Sequence, residues 1–207
     1  MSGRERFERD YGVDPATMTK LDQYATVLIE WQATMNLVAR STLDTIWDRH
    51  FADSAQLASI VGNDASPMSF WLDIGSGAGF PALVVALFAP GNFHLVEATA
   101  KKCRFLAHVA NTLDLADRVL IHQARIEDLP SINADFITAR ACAPLTQLFA
   151  WGERHGRGAR WLLLKGRTVA DEIIAARADF YFDEKLIPSR TDGDARIVDV
   201  IGVRRRR

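Results

Sequence analysis

The residues with the clearest chemical potential form one stretch, Phe70-Trp71-Leu72-Asp73-Ile74-Gly75-Ser76-Gly77-Ala78-Gly79-Phe80-Pro81. It reads as a buried strand over Ser69–Ile74 that turns through three alternate glycines into a helix beginning near Pro81. Glycine permits positive φ and lets a ligand approach bare backbone. Proline suits a first helical turn, whose N–H has no partner anyway. Strand, glycine turn and helix N-terminus together make a nucleotide site of a doubly wound α/β fold. The spacing is GxGxG, one residue tighter than the GxGxxG that seats a dinucleotide pyrophosphate. Led by the acidic Asp73, such a turn suits a ligand whose near end carries an ammonium and a sulfonium. That ligand is S-adenosylmethionine. Asp73, Gly75, Gly77, Gly79 and Phe80 are therefore expected at the cofactor.

About twenty residues on, Asn92-Phe93-His94-Leu95-Val96-Glu97 reads as a second strand ending in an acid. A carboxylate at the tip of a second strand is where such folds hold ribose hydroxyls, which makes Glu97 the next cofactor residue.

These residues need a sheet to position them, and the chain is long enough to supply one. Its 207 residues are 48% hydrophobic, enough for one large domain or a domain with an extension. The formal net charge is −1, so no global basic field advertises nucleic acid, and any RNA contact must be local. Cys103 and Cys142 lie far apart in apolar surroundings and read as reduced core residues of a cytoplasmic protein, with no disulfide and no metal site. No signal peptide or membrane-spanning run is apparent.

Asp14-Pro15 marks a helix start, and Met18, Leu21, Tyr24, Leu28, Trp31 and Met35 continue it at helical spacing to about Thr34. A second helix is expected from Ser41, with Asp44 in the capping-box position. Its apolar stripe runs through Leu43, Ile46, Trp47, His50, Phe51, Ser54 and Leu57. Helical spacing pairs His50 with Ser54 on one face, and Arg49 with Asp53 on another as a solvated bridge. Residues 1–66 thus form a helical extension ahead of an α/β core at 67–207.

In that core Thr99 to Leu113 reads as a helix, with Lys101, Lys102 and Arg104 near its start. Cations are unfavourable there relative to the helix dipole, a weak hint of a polyanion. Further strands are expected at Val119–Gln123, Asp135–Ala139 and Arg160–Leu164, with helices at Pro144–Trp151 and Thr168–Ala178. Phe180–Pro188 and Arg196–Val203 read as a closing antiparallel pair. This is a class I, Rossmann-like methyltransferase layout: a doubly wound sheet, mostly parallel, with a terminal hairpin.

The sequence resembles the GidB/RsmG family, bacterial methyltransferases acting on guanine N7 in 16S ribosomal RNA. The matching pieces are Asn36-Leu37, Arg49-His50-Phe51-Ala52-Asp53-Ser54, and Leu72 through Pro81. Leu95-Val96-Glu97, Lys101-Lys102-Cys103-Arg104-Phe105-Leu106, Thr138-Ala139-Arg140-Ala141 and Leu164-Lys165-Gly166 follow in the same order. The RHFADS helix combined with GAGFP is the specific part. Ala82 departs from the family, which has another glycine after the proline. The resemblance implies cofactor contacts from Gly75, Phe80, Glu97, Ile126, Glu127 and Arg140, with Ile126 flanking the adenine and Glu127 or the adjacent backbone reading its edge. It leaves Arg140 three partners: the cofactor carboxylate, an RNA phosphate or guanine O6. The implied partner is 16S ribosomal RNA or the small ribosomal subunit, met by a monomer without a metal or a membrane.

The segment after the fourth strand, Thr138 to Pro144, lacks the acceptor turn that orients an exocyclic amine. Guanine N7 offers an in-plane lone pair and has no proton to lose, so no general base is assigned, and placement alone can supply roughly 7–11 kcal/mol. His50 and Asp53 are expected to shape the pocket entrance. Arg140 and Lys165 are expected to position the reacting groups, with Arg167 beside them on the cofactor face. Arg204, Arg205, Arg206 and Arg207 form a tail that either grips RNA phosphates or is an ordinary solubilising end. A same-fold methyltransferase for a small molecule or protein, and a non-catalytic nucleotide- or RNA-binding module, are the alternative readings.

Overall fold

The computed structural model describes all 207 residues. Its frame is a seven-stranded sheet in the order β3-β2-β1-β4-β5-β7-β6. The strands are β1 (Phe70–Ile74), β2 (Asn92–Glu97), β3 (Val119–Gln123), β4 (Phe136–Arg140), β5 (Arg160–Lys165), β6 (Phe180–Pro188) and β7 (Arg196–Arg205). The first five are parallel and β7 runs antiparallel to both β5 and β6. The chain order reverses between β1 and β4, and a crevice at the carboxyl ends of the strands follows from that switch.

The helices are α1 (Gly3–Tyr11), α2 (Pro15–Gln32), α3 (Asp53–Val61), α4 (Ala82–Phe88), α5 (Ala100–Thr112), α6 (Leu145–Gly152) and α7 (Val169–Asp179). Two apolar clusters lie on the sheet. One unites residues from the first five helices with Trp71, Phe93 and Phe136. The other joins α6 and α7 to Leu72, Ile74, Trp161 and Val198. Trp71 ties three strands together, stacking on Phe93 at 5.2 Å and on Phe136 at 4.4 Å between centroids.

Helix α2 starts as its cap signal requires: the Asp14 carboxylate accepts from the amides of Ala16 and Thr17, and Pro15 fills the first turn. Its buried stripe, Met18, Leu21, Tyr24 and Leu28, lies on the core. The Tyr24 hydroxyl donates to the Ala78 carbonyl at 2.5 Å, so this helix is fastened to the glycine turn itself. Residues 1–66 therefore share a core with the sheet.

The second expected helix differs. Arg40–Thr45 is a 3₁₀ segment without a side-chain cap, so the Ser41–Asp44 capping box does not form. Trp47–Ala52 is a π-helical turn, and regular α-helix begins only at Asp53. The wider turn rotates Arg49 and Asp53 apart, and their expected surface bridge is absent. Arg49 instead pairs with Asp192 at 2.7 Å, and Asp53 accepts from the Thr191 hydroxyl at 2.9 Å. Both partners lie in the β6–β7 loop. π-Turns of this kind are frequent at functional sites.

The C-terminal end also differs. β7 continues through Arg204 and Arg205, pairing them with Tyr181 and Phe180. The strand runs away from the crevice, so this end lies on the opposite side of the sheet. No helix is long and apolar enough to cross a membrane.

Candidate active site

A cavity of about 630 Å³ opens at the switch between β1 and β4. Its floor is the glycine turn. Gly75, Gly77 and Gly79 all have positive φ, +70°, +54° and +87°, the left-handed region that side chains disfavour. Their surroundings separate their roles. A Cβ on Gly77 would meet nothing nearer than the Gly75 carbonyl at 3.8 Å, because the turn there faces the cavity. A Cβ on Gly79 would lie 2.5 Å from Leu83 and 2.6 Å from the Tyr24 hydroxyl, so Gly79 serves helix packing. On Gly75 it would meet Cys142 at 2.9 Å.

Glu97 lines the cavity at the tip of β2. Its Oε2 accepts from the Gly77 amide at 3.1 Å and its Oε1 from the Thr99 amide at 2.8 Å. The carboxylate is thereby aimed across the turn while keeping lone pairs for hydroxyl donors. Asp73 lies beneath the turn and outside the cavity lining. It is buried, its Oδ1 accepts from the Thr138 hydroxyl at 2.6 Å, and its Oδ2 has no partner. Burial pushes its carboxyl up to about 6, against the nearby Ser76 and Thr138 hydroxyls. An unpartnered carboxylate oxygen under a glycine turn fits a ligand with an ammonium at its near end.

The opposite wall is a cationic knot. Arg140, at the end of β4, sends Nη1 to the Arg49 carbonyl at 3.1 Å and to His50 Nδ1 at 2.9 Å, with Asp53 Oδ2 at 3.7 Å. Its guanidinium lies 4.9 Å above the Phe80 ring, which also stacks on His50 and Tyr24. Its Nε and Nη2 make no hydrogen bond within the chain and stay available at the cavity. Because Arg140 donates to Nδ1, that nitrogen is the acceptor of a neutral imidazole. Nε2 then carries the proton and donates to the Thr42 hydroxyl at 2.8 Å, and Thr42 donates onward to the Ala39 carbonyl at 2.6 Å. Burial, with the neighbouring Arg140 and Arg49 charges, pushes His50 down to about 3. Burial raises the Asp53 carboxyl, opposed by Arg140.

Lys165 reaches the cavity from β5, but its ammonium is engaged: Glu172 Oε2 lies at 2.8 Å, and the Ala143 carbonyl accepts from it at 2.5 Å. The same Glu172 oxygen accepts from the Leu145 amide. Lys165 thus clamps the β4–α6 loop, in which Ala141 has φ of +50°. That twist corrects the reading of Cys142 as core, since Cys142 is exposed and lines the cavity, whereas Cys103 is buried. Both cysteines are free.

Several expected site residues stand outside. Ile126 and Glu127 do not line the cavity; the Ile126 side chain is buried, and both carbonyls accept from Arg154. Arg167 is exposed beyond the lining. Arg204 to Arg207 lie at the far end of β7. Conversely, Leu37, Val38, Thr42, Lys102 and Asp192 line the cavity without having been singled out as site residues. Lys102 carried a hint in its place at a helix start; Thr42 and Asp192 carried none.

A family profile described as rRNA small subunit methyltransferase G (GidB) matches residues 17–196. The chain belongs to that family. A relative named ribosomal RNA small subunit methyltransferase G from Caulobacter vibrioides is 43% identical over 199 residues, covering 94% of this chain and 89% of its own. A Methylorubrum extorquens protein of the same name is 43% identical over 210 residues, with 98% and 96% covered. GidB members thus match the helical extension and the sheet alike. The fold is also that of a SAM-dependent methyltransferase from Aquifex aeolicus, with a TM-score of 0.58 at 15% identity, covering 76% of this chain and 93% of that one. An O-methyltransferase from Thermotoga maritima gives 0.58 at 16% identity, with 87% and 71% covered.

Proposed function

We propose that this GidB-family methyltransferase moves the methyl group of S-adenosylmethionine to N7 of a guanine in 16S ribosomal RNA, by in-line attack without a general base. The cofactor supplies an electrophilic methyl on a sulfonium; the chain's own residues bind, orient and exclude water. In this reading the backbone of Gly75 and Gly77 takes the methionine end, and Asp73 Oδ2, unpartnered beneath the turn, faces the ammonium across it. Glu97 accepts from the ribose hydroxyls. The adenine extends toward Ile126 and Glu127 at the end of β3, the strand that pairs Gln123 with Glu97.

The carrying observation is the state of His50. It is the histidine of the cavity wall, it is neutral, and both ring nitrogens are already committed to Arg140 and Thr42. It has neither a free lone pair nor a suitable pKa with which to accept a proton near neutral pH. An acceptor that carries no proton, such as guanine N7, needs none. Nε and Nη2 of Arg140 are free donors that suit guanine O6, which neighbours N7, or the cofactor carboxylate. Lys165 acts by holding the β4–α6 loop.

The test is transfer of tritiated methyl to RNA from a strain lacking the enzyme, followed by digestion to nucleosides. Label in 7-methylguanosine of the 16S fraction is expected. Label in another nucleoside, or none in RNA, would overturn the reading.

A further inference from the structure

The four C-terminal arginines lie where a single active-site footprint cannot use them. β7 begins at Arg196, opposite Lys165 on the cavity side, and spans ten residues to Arg205. At a rise of about 3.3 Å per residue the two ends stand roughly 30 Å apart.

These arginines are not a loose tail. Arg204 and Arg205 belong to the strand, and the Arg206 amide donates to the Asp179 carbonyl at 2.7 Å. Arg204 and Arg206 project to one face, as residues two apart on a strand do. Both guanidiniums lie against the half-exposed Tyr181 ring, at 5.1 Å and 4.0 Å from its centroid. Arg205 points to the other face, over Phe180, and pairs with Glu153 at 3.3 Å. Neither Arg204 nor Arg206 has a carboxylate partner, although Asp179 and Asp183 flank Tyr181 in the chain. Two like charges share one ring, and a cation–π contact at an exposed site offsets only about 0.5–1 kcal/mol. Stacking fixes the planes. Arg206 Nε donates to the Phe180 carbonyl at 3.4 Å, while its Nη atoms and the Arg204 guanidinium make no hydrogen bond within the chain and can take phosphate oxygens.

We propose that the Arg204–Tyr181–Arg206 stack is a second RNA-binding surface, gripping phosphates of the ribosomal RNA backbone remote from the methylated base. The chain's net charge of −1 makes such focusing necessary for a polyanion. A substrate as large as the 16S RNA can reach both ends of the sheet at once.

The proposal rests on RNA as substrate and is tested separately from it. Binding of unmodified full-length 16S rRNA transcript is measured across a sodium chloride series for the parent, Arg204→Gln/Arg206→Gln and Arg204→Lys/Arg206→Lys. Two lost phosphate contacts should reduce the salt slope by about 1.4–1.8 in the Gln pair. The Lys pair should keep the slope, and S-adenosylmethionine affinity should stay at the parent value in both. Should the Gln pair lower the melting temperature, Arg204→Gln alone decides by the same criterion with half the change. An unchanged slope overturns the second surface. So does binding of phosphatidylglycerol vesicles that the Gln pair loses while its RNA slope is kept. Failure of the parent to bind the transcript at all would instead overturn the substrate reading.

Discussion

Arg140 Nη1 donates to His50 Nδ1 at 2.9 Å, joining the end of β4 to the π-turn of the N-terminal segment. That single bond sets the imidazole tautomer, and through Nε2 it makes Thr42 the end of a three-residue relay. Removing the last member tests the relay without touching the cavity cation. Thr42→Val should leave the buried Nε2–H unsatisfied and destabilise the fold by about 1–3 kcal/mol. Thr42→Ser should restore it. Denaturant unfolding of the two variants gives the answer, and equal stabilities would break the relay.

The glycine turn yields opposite outcomes two residues apart. Gly77→Val adds its side chain where the turn faces the cavity, so cofactor affinity should fall severely, with a stability loss limited to about 1–3 kcal/mol from a side chain at φ of +54°. Gly79→Ala forces a methyl onto Leu83 and the Tyr24 hydroxyl, so it should lower the melting temperature and detach α2. Calorimetric titration beside thermal melts separates them; reversed outcomes would mean that the two roles are exchanged.

Asp73 gives the cofactor site a pH dependence. Its carboxyl, raised to about 6, is ionised above that pH and protonated below it. If Oδ2 meets an ammonium, only the ionised form binds well. Affinity for S-adenosylmethionine should then rise as pH increases from 5 to 7, by up to about tenfold per unit below 6. The dependence should vanish in Asp73→Asn. The folding linkage has the opposite sense: a raised carboxyl is destabilising when charged, so its contribution improves as pH falls from about 6 toward 3.8. His50, depressed to about 3, loses stability as pH falls from 6.5 toward that value. The two oppose each other over the shared window, and unfolding free energies of Asp73→Asn between pH 4 and 6 should fall more steeply with acid than those of the parent.

Much of this was legible in the sequence, and the exceptions have physical reasons. β2, β3 and β6 are periodic and bounded by turn residues, and they occupy the expected residues. α1 has a capping box from Ser2 and Glu5 but few apolar residues after it, so it gives no periodic signal in the sequence. The π-turn left no mark, since its register is held by Asp192 and Thr191, far along the chain. Cys142 looked like core because alanines flank it; the positive φ of Ala141 turns it outward. Asp73 and Glu97, the acids proposed to meet the cofactor, could be named from strand ends alone. The polar neighbours that set their charge could not.

Lys165 is a clamp by geometry, and its removal should show as such. Lys165→Ala leaves the half-buried Glu172 without its cation but still hydrogen-bonded by the Leu145 amide and the Thr168 hydroxyl, a loss of about 1–3 kcal/mol. Lys165→Met with Glu172→Leu should recover most of that stability, because neither charge is then stranded. Chemical denaturation of the single and double variants checks this; a double variant no more stable than Lys165→Ala would argue against the clamp.

The proposed methyl acceptor is an unprotonated ring nitrogen, and one substitution in the substrate addresses it. A 16S rRNA transcript made with 7-deazaguanosine in place of guanosine keeps its pairing edges and loses N7. Single-turnover transfer of tritiated methyl should be absent on this transcript, while its binding to the enzyme, measured in the same buffer, stays within a few fold of the guanosine RNA. Transfer to the deaza transcript at the ordinary rate would contradict the account, because the methyl group would then be going to another atom.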